Sequence, residues 1–392
     1  MDYNKTALEL HEKKQGKLEI VSKVNLESRD DLSVAYTPGV AEPCRKIHEC
    51  SDDVYKYTVK KNTVAVVSDG SAVLGLGNIG GNASIPVMEG KAVLFKAFGD
   101  IDAFPICLDT QDDEEIIKTV KNIAPVFGGI NLEDINAPRC FYIEKRLKAE
   151  LDIPVFHDDQ HGTAVCVLAS VINGAKVLQK DVKALKVVIN GIGAAGSAIC
   201  RILLSYGIKN IVLCDKNGII NQEQQSTMLN WNHTELASVT NPHGVRGGLA
   251  EALQGADVFI GVSRKGLLKA EMIKTMNKNP MIFAMANPEP EIYPEEAKAA
   301  GAAIVGTGRS DYPNQINNVL VFPGMFKGAL AVRASDINEE MKMAAAVALA
   351  DYIKEESRSA ENILPSALDK NVAAAIAAAV SAAAKESGVA RI

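Results

Sequence analysis

From about Lys186 onward, short β-branched runs alternate with amphipathic helical stretches, and this alternation restricts the possible folds more than any other feature of the chain. The runs are Lys186–Asn190, Asn210–Asp215, Asp257–Val262, Met281–Ala286 and Ala302–Gly306. Between the first two, Ile199, Ile202, Leu203 and Tyr206 recur at helical spacing before a stop at Gly207. Strands that are apolar along their whole length and separated by helices predict a parallel sheet covered on both faces. The expected class is α/β: a doubly wound parallel-sheet domain over residues 161–335, an N-terminal α/β domain over 1–160, and C-terminal helices over 336–392 packing back on the body. A length of 392 residues accommodates two or three domains.

The N-terminal portion has a different texture, with loops rich in Gly and Pro. Thr63–Asp69 reads as a strand. Residues from Asp113 to about Pro125 read as a helix with acids in its first turn, and Ile153–Phe156 as a strand leading to a helix from about Gly162.

Composition bears on partners. With 47% hydrophobic residues the chain can bury a sizeable core, which excludes disorder as its main state. Its 42 Lys and Arg stand against 48 Asp and Glu with no long basic run, which argues against a nucleic-acid partner. The N-terminus lacks an apolar h-region, and no stretch reads as a membrane span, the Asn371–Lys385 run being apolar mainly through Ala. No membrane partner and a cytoplasmic location are expected. The seven cysteines (Cys44, Cys50, Cys107, Cys140, Cys166, Cys200 and Cys214) never form a CxxC pair, which fits reduced thiols that mostly serve as small buried hydrophobes.

The pattern G-x-G-x-x-G occurs twice, at Gly75, Gly77 and Gly80 and at Gly191, Gly193 and Gly196. In a dinucleotide site the first Gly makes a tight turn, the second admits the pyrophosphate, and the third lets helix and strand pack closely. The second copy follows a clear strand and opens a helix without Pro, as a Rossmann-like site requires. Asp215 ends the next strand, where a carboxylate can accept hydrogen bonds from the adenosine ribose. After the first copy, Pro86 and Gly90 are expected to interrupt the helix, so that copy reads as a loop needing close backbone approach. Asp215 would repel a 2′-phosphate and favours NAD; the adjacent Lys216 could instead pair with that phosphate and admit NADP.

Glu133-Asp134 and His157-Asp158-Asp159-Gln160-His161 are the most unusual polar clusters. Several carboxylates gathered between a buried strand and a helix start repel one another unless protonated, solvated or holding a cation. All-oxygen ligation suits Mg²⁺ or Mn²⁺ better than Zn²⁺. His157 and His161 have zinc-pair spacing, but Gly162 argues that the helix starts after them, leaving loop or capping roles; Asp158-Asp159 could equally be a helix N-cap. Lys91 follows a Gly-rich loop where burial could lower its pKa enough to make it a base. Tyr36 sits in the turn-rich AYTPGVAEP.

Taken together, Ser33–Pro43, Val73–Gly80, Pro86–Phe98, Gly129–Asp134, Pro154–Ala164, Val187–Gly196, Ala284–Glu289 and Asn314–Gly324 resemble the short bacterial form of malic enzyme through nearly the whole chain. The resemblance implies that Glu133, Asp134 and Asp159 bind a divalent metal. It implies Tyr36 as general acid, Lys91 as general base and Asp158 as a proton-handling carboxylate beside them. Gly191, Gly193, Ala194, Ala195, Gly196 and Asp215 would bind the dinucleotide, and Asn287 and Asn318 the substrate carboxylates and nicotinamide region. Longer relatives carry an Arg where this chain has Ala72, so a carboxylate clamp is missing there. The implied reaction takes L-malate through oxaloacetate to pyruvate and CO₂ while reducing NAD, with Mg²⁺ or Mn²⁺. An oxaloacetate decarboxylase without net redox chemistry and a nucleotide-sensing regulator are the rival readings. The resemblance also implies a homodimer with each active site completed by the partner subunit, and the polar N-terminal arm before Asp31 is a candidate contact.

Overall fold

The computed structural model describes residues 2–73, 75–222 and 231–392; residue 74 of the first glycine segment lies outside them. Two sheets organise the chain. The first contains β1 (Thr63–Ser68), β2 (Asp102–Cys107), β3 (Gly129–Leu132) and β4 (Val155–His157), all parallel, in the order β2-β1-β3-β4. The second contains β5 (Val187–Asn190), β6 (Ile211–Asp215), β7 (Gly218–Ile219), β8 (Val258–Gly261), β9 (Met281–Ala284) and β10 (Ile304–Thr307), in the order β10-β9-β8-β5-β6-β7. Among the described residues of this sheet only the β6–β7 pair is antiparallel. In each sheet successive strands leave a central strand in opposite directions. This opens a crevice at the carboxyl ends of β1 and β3 in one sheet and of β5 and β8 in the other.

The helices that frame the two sheets are α1 (Tyr3–Lys14), α2 (Arg29–Ala35), α3 (Ala41–Glu49), α4 (Gly80–Leu94), α5 (Asp113–Ile123), α6 (Arg139–Glu150), α7 (Asp158–Leu178), α8 (Ala194–Tyr206), α9 (Phe322–Ala331), α10 (Glu339–Tyr352) and α11 (Asn371–Glu386), besides the helix Trp231–Val239 and shorter ones. Helix α7 leaves β4 directly, and its apolar residues join Val64 and Val66 of the first sheet and Val187 and Ile189 of the second in one core. It is long and apolar enough to cross a membrane, which the sequence reading missed, but most of it is buried inside the protein. The Ala-rich C-terminus packs as expected: Gly324 and Gly328 of α9 lie so close to α11 that a Cβ there would meet Ala373 O at 2.8 Å and Ala377 O at 2.6 Å.

Three local readings need correction. Helix α7 begins at Asp158, not near Gly162, because His157 holds the N-cap position and Asp158 and Asp159 occupy the first turn, where the helix dipole favours acids. Helix α4 runs uninterrupted through Pro86 and Gly90; burial of Ser84, Met88, Lys91 and Ala92 outweighs the hydrogen bond that Pro86 forfeits. Strands β2 and β3 are a third departure, since neither segment carries a distinct strand pattern in the sequence. Of the cysteines, Cys44 and Cys50 are exposed, whereas Cys140, Cys166, Cys200 and Cys214 are buried.

Candidate active site

Five charged side chains converge at the carboxyl ends of β3 and β4. Glu133 and Asp134 follow β3, Asp158 and Asp159 open α7, and Lys91 projects from α4; all but the partly exposed Asp159 are buried. Lys91 Nζ lies 2.8 Å from Glu133 Oε1 and 2.5 Å from Asp158 Oδ2, and 4.2 Å from the centre of the Phe322 ring. Asn131 Nδ2 donates to the other Glu133 oxygen at 2.9 Å. Sequence reasoning singled out neither Asn131 nor Phe322, since an Asn in a short strand and a Phe in an apolar run carry no local signal.

Asp134 adopts a left-handed backbone conformation, φ 54°, a region few non-Gly residues occupy, though Asp enters it more readily than most. This conformation points its backbone N–H at Asp159 Oδ2, 2.8 Å away, while its carbonyl accepts from Ala72 N at 2.9 Å. Ala72 thus ties down the Asp134 loop through its backbone. One carboxylate oxygen each of Glu133, Asp134 and Asp159 lie within 4.8 Å of one another, and Asp134 Oδ2 is buried without a hydrogen-bond partner. An all-oxygen set with an orphaned buried acceptor has the chemistry of a hard divalent cation site.

The electrostatics point the same way. Burial pushes the Asp134 carboxyl up to about 9, reinforced by Asp159 and Glu133. Burial also raises Glu133, Asp158 and Asp159, with Lys91 opposing in each case. Four acids share one ammonium. For Lys91, burial alone would lower the pKa, as the sequence suggested, but Asp158, Glu133 and Asp159 outweigh it and hold the ammonium protonated.

His157 is wholly buried with Nδ1 3.9 Å from Asp159 Oδ2, and burial holds its pKa below the usual imidazole value. His161 lies inside the first turns of α7 and faces away from the acids, toward Glu144 of α6 at 2.9 Å. The two histidines therefore form no zinc pair. Tyr36 is not among the converging groups: it caps α2, is 68% exposed, and belongs to a segment whose helices α1, α2 and α3 bury no residue. In this chain its phenol makes no hydrogen bond to Lys91 or to the four acids.

At the second sheet, each glycine of the second fingerprint has its own reason. Gly191 has φ 106°, and a Cβ there would meet Val262 O at 2.6 Å; one at Gly196 would fall 1.8 Å from Gly191 O. A Cβ at Gly193 would meet nothing within 4 Å, and no side chain caps α8, so Ala194, Ala195 and Gly196 offer free backbone N–H groups to an anion. Asp215 stands at the end of the neighbouring strand and accepts from Asn217 N at 2.7 Å. The first glycine run forms a loop in the N-terminal half whose Gly75 abuts Pro288. Asn287 precedes that proline through a cis peptide, and Asn318 packs beside Gly162. Among the described residues neither asparagine side chain makes a hydrogen bond within the protein, which leaves both amides available.

Residues 15–148 match the malic enzyme N-terminal domain, and residues 160–385 the malic enzyme NAD binding domain. A bifunctional malic/malolactic enzyme of Bacillus subtilis is 57% identical over 392 residues, covering 100% of this chain and 95% of its own. An NAD-dependent malic enzyme of Geobacillus stearothermophilus is 57% identical over 376 residues, covering 96% of this chain and 78% of its own. Further relatives are named NADP-dependent malic enzymes. The crystal structure of a malic enzyme from Pyrococcus horikoshii superposes with a TM-score of 0.94 at 50% identity, covering 99% of this chain and 92% of that one. With both domains matched in order and more than half the residues shared along the full length, the chain belongs to the malic enzyme family.

Proposed function

We infer that the oxidative decarboxylation of L-malate to pyruvate and CO₂, with reduction of NAD, takes place at the acid cluster around Lys91. The observation that carries this reading is the contact of Lys91 with both Glu133 and Asp158 beside three mutually close carboxylates. Glu133, Asp134 and Asp159 are the groups to hold Mg²⁺ or Mn²⁺. Such a cation supplies Lewis-acid polarisation of the malate C2 oxygen and of the developing enolate, and offsets the negative field that keeps Lys91 protonated.

Lys91, once neutral, would take the C2 hydroxyl proton, and NAD held by the second sheet would supply the acceptor for the C2 hydride. Asp158, 2.5 Å away, receives that proton or returns it to the amine. Asn287 and Asn318 offer amide N–H groups to the substrate carboxylates and nicotinamide. The oxaloacetate so formed loses CO₂ as its C3–C4 bond breaks, and Tyr36 donates a proton to C3 of the resulting enolpyruvate to give pyruvate. Because its own chain exposes Tyr36 together with Leu8, Leu18, Ile20, Val21, Val24, Leu26 and Val34, the arm fits a second copy of the chain, and each site is completed by the partner in a homodimer.

In this reading residues 1–160 carry the metal and proton-transfer groups, 161–335 the dinucleotide, and 336–392 the supporting helices. Asp215 favours NAD over NADP by repelling a 2′-phosphate. The test is to mix the protein with Mn²⁺ and L-malate, with and without NAD⁺, and to follow absorbance of the reduced nicotinamide. Malate-dependent NADH supports the reading. Oxaloacetate consumption without any malate-dependent NADH replaces it with the lyase.

A further inference from the structure

We propose that Glu144, on α6, is a positioning residue that aims Asp158 and Asp159; this rests on the metal reading given above. Its carboxylate collects three donors from the β4–α7 junction: His157 N at 3.1 Å, Gln160 Nε2 at 3.2 Å, and His161 Nε2 at 2.9 and 3.0 Å to its two oxygens. At about 100° per residue, positions 157, 160 and 161 fall on one side of the helix start and 158 and 159 on the other. The back of the turn thus hangs from one carboxylate. The front presents Asp158 to Lys91 and Asp159 to the Asp134 backbone.

The His157 side chain makes no capping bond at the α7 N-terminus, so the cap position does not itself fix this turn. Glu144 is itself buried, and His161, Lys342 and Lys148 overcome the cost of burial and keep its carboxyl ionised, well below the usual range. A third element locks the pair. Lys342 Nζ on α10 lies 3.3 Å from His161 Nδ1 and 2.5 Å from Glu339 Oε1. With Nδ1 accepting from the ammonium, the imidazole carries its proton on Nε2 and must donate to Glu144. Glu339, Lys342, His161 and Glu144 form a chain that begins on a C-terminal helix and ends behind the metal-binding acids. None of these four touches the acid cluster directly, so the role is orientation and not proton transfer.

The measurement is Mn²⁺ binding, read from the electron paramagnetic resonance of the free ion, alongside thermal melting without metal. Glu144→Gln keeps size and sets an amide N–H against N–H donors; it is expected to raise the Mn²⁺ dissociation constant about tenfold or more. His161→Phe keeps the ring against Phe156, 5.4 Å between centres, while removing the bonds to Glu144 and Lys342, and is expected to weaken Mn²⁺ by a smaller factor. Ile143→Val trims the buried core neighbour on the same helix and serves as the control: lower melting temperature, unchanged Mn²⁺ affinity. If Glu144→Gln and His161→Phe melt lower yet bind Mn²⁺ as the wild type does, Glu144 is only structural and the inference is overturned. If wild type and Asp159→Asn bind Mn²⁺ equally, the ligand assignment has failed and takes this inference with it.

Discussion

A Cβ atom at position 162 would fall 1.9 Å from Oδ1 of Asp158, so the glycine and the orientation of that carboxylate depend on each other. Gly162 lies in the interior of a helix, where Ala normally stabilises by roughly 0.5–1 kcal/mol. Here the methyl must push Asp158 away from Lys91 or Asn318 away from Gly162. Gly162→Ala is expected to lower kcat by about 10²-fold or more without raising the melting temperature. Gly174→Ala, in the same helix, meets Met281 Sδ far from the acids and should cost stability while leaving turnover per folded molecule unchanged. Steady-state rates and melting curves on the two variants separate the cases.

The difference between legible and illegible parts of the chain has a physical basis. Strands β5, β6, β8, β9 and β10 are buried on both faces, apart from the tip of β6, so their sequences are continuous apolar runs that can be recognised in isolation. Edge strand β2 carries Pro105 and is largely half-buried, and β3 is four residues long with a polar Asn131 turned toward Glu133, so neither has a distinct pattern. The acids at 133, 134, 158 and 159 were visible as clusters, whereas the protonated state of Lys91 was not. Burial argues for a lowered pKa, and only the fold reveals that β3 and α7 bring three carboxylates against the same ammonium. Glu144 looked like any helical acid, because its partners sit on an element far along the chain.

The Asp134 carboxyl gives the metal-free protein a distinctive pH dependence. Its folded pKa, about 9, lies above the unfolded value, so it contributes stability that is fully present below roughly pH 4 and lost as pH rises toward 9. Asp134→Asn removes a group that must either stay protonated or be buried charged. In chelator-treated protein the variant should therefore become progressively more stable than the wild type from pH 5 to pH 8, by at most about 1.4 kcal/mol per pH unit. Urea unfolding at several pH values measures the gap. With saturating Mn²⁺ the order should reverse, because the wild type alone keeps all three carboxylate ligands and their charge.

Coenzyme preference can be tested at one side chain. Asp215 ends β6 beside the free N–H groups of α8, with Lys216 exposed next to it. Asp215→Asn removes the charge that repels a 2′-phosphate and leaves Lys216 free to pair with it. The ratio of kcat/KM for NADP⁺ to that for NAD⁺ should rise roughly tenfold or more, given the cost of placing like charges together. An unchanged ratio would show that the carboxylate does not face the ribose.

The proposed sharing of Tyr36 between subunits makes a prediction that separate variants cannot. Tyr36→Phe alone is expected to cut turnover by about 10²–10⁴-fold while sparing malate and Mn²⁺ binding, and Lys91→Ala to be similarly inactive. In a mixed dimer of the two variants, a site built from Lys91 of one chain and Tyr36 of the other has both groups intact, while the second site lacks both. Random exchange between equal amounts of the two inactive proteins should therefore restore about one quarter of wild-type activity, since half the dimers are mixed and half of their sites are whole. If each chain used its own Tyr36, every site in the mixture would lack one group and no activity would return. Measuring the rate before and after subunit exchange decides between the arrangements, and the exposed position of Tyr36 on its own chain predicts recovery.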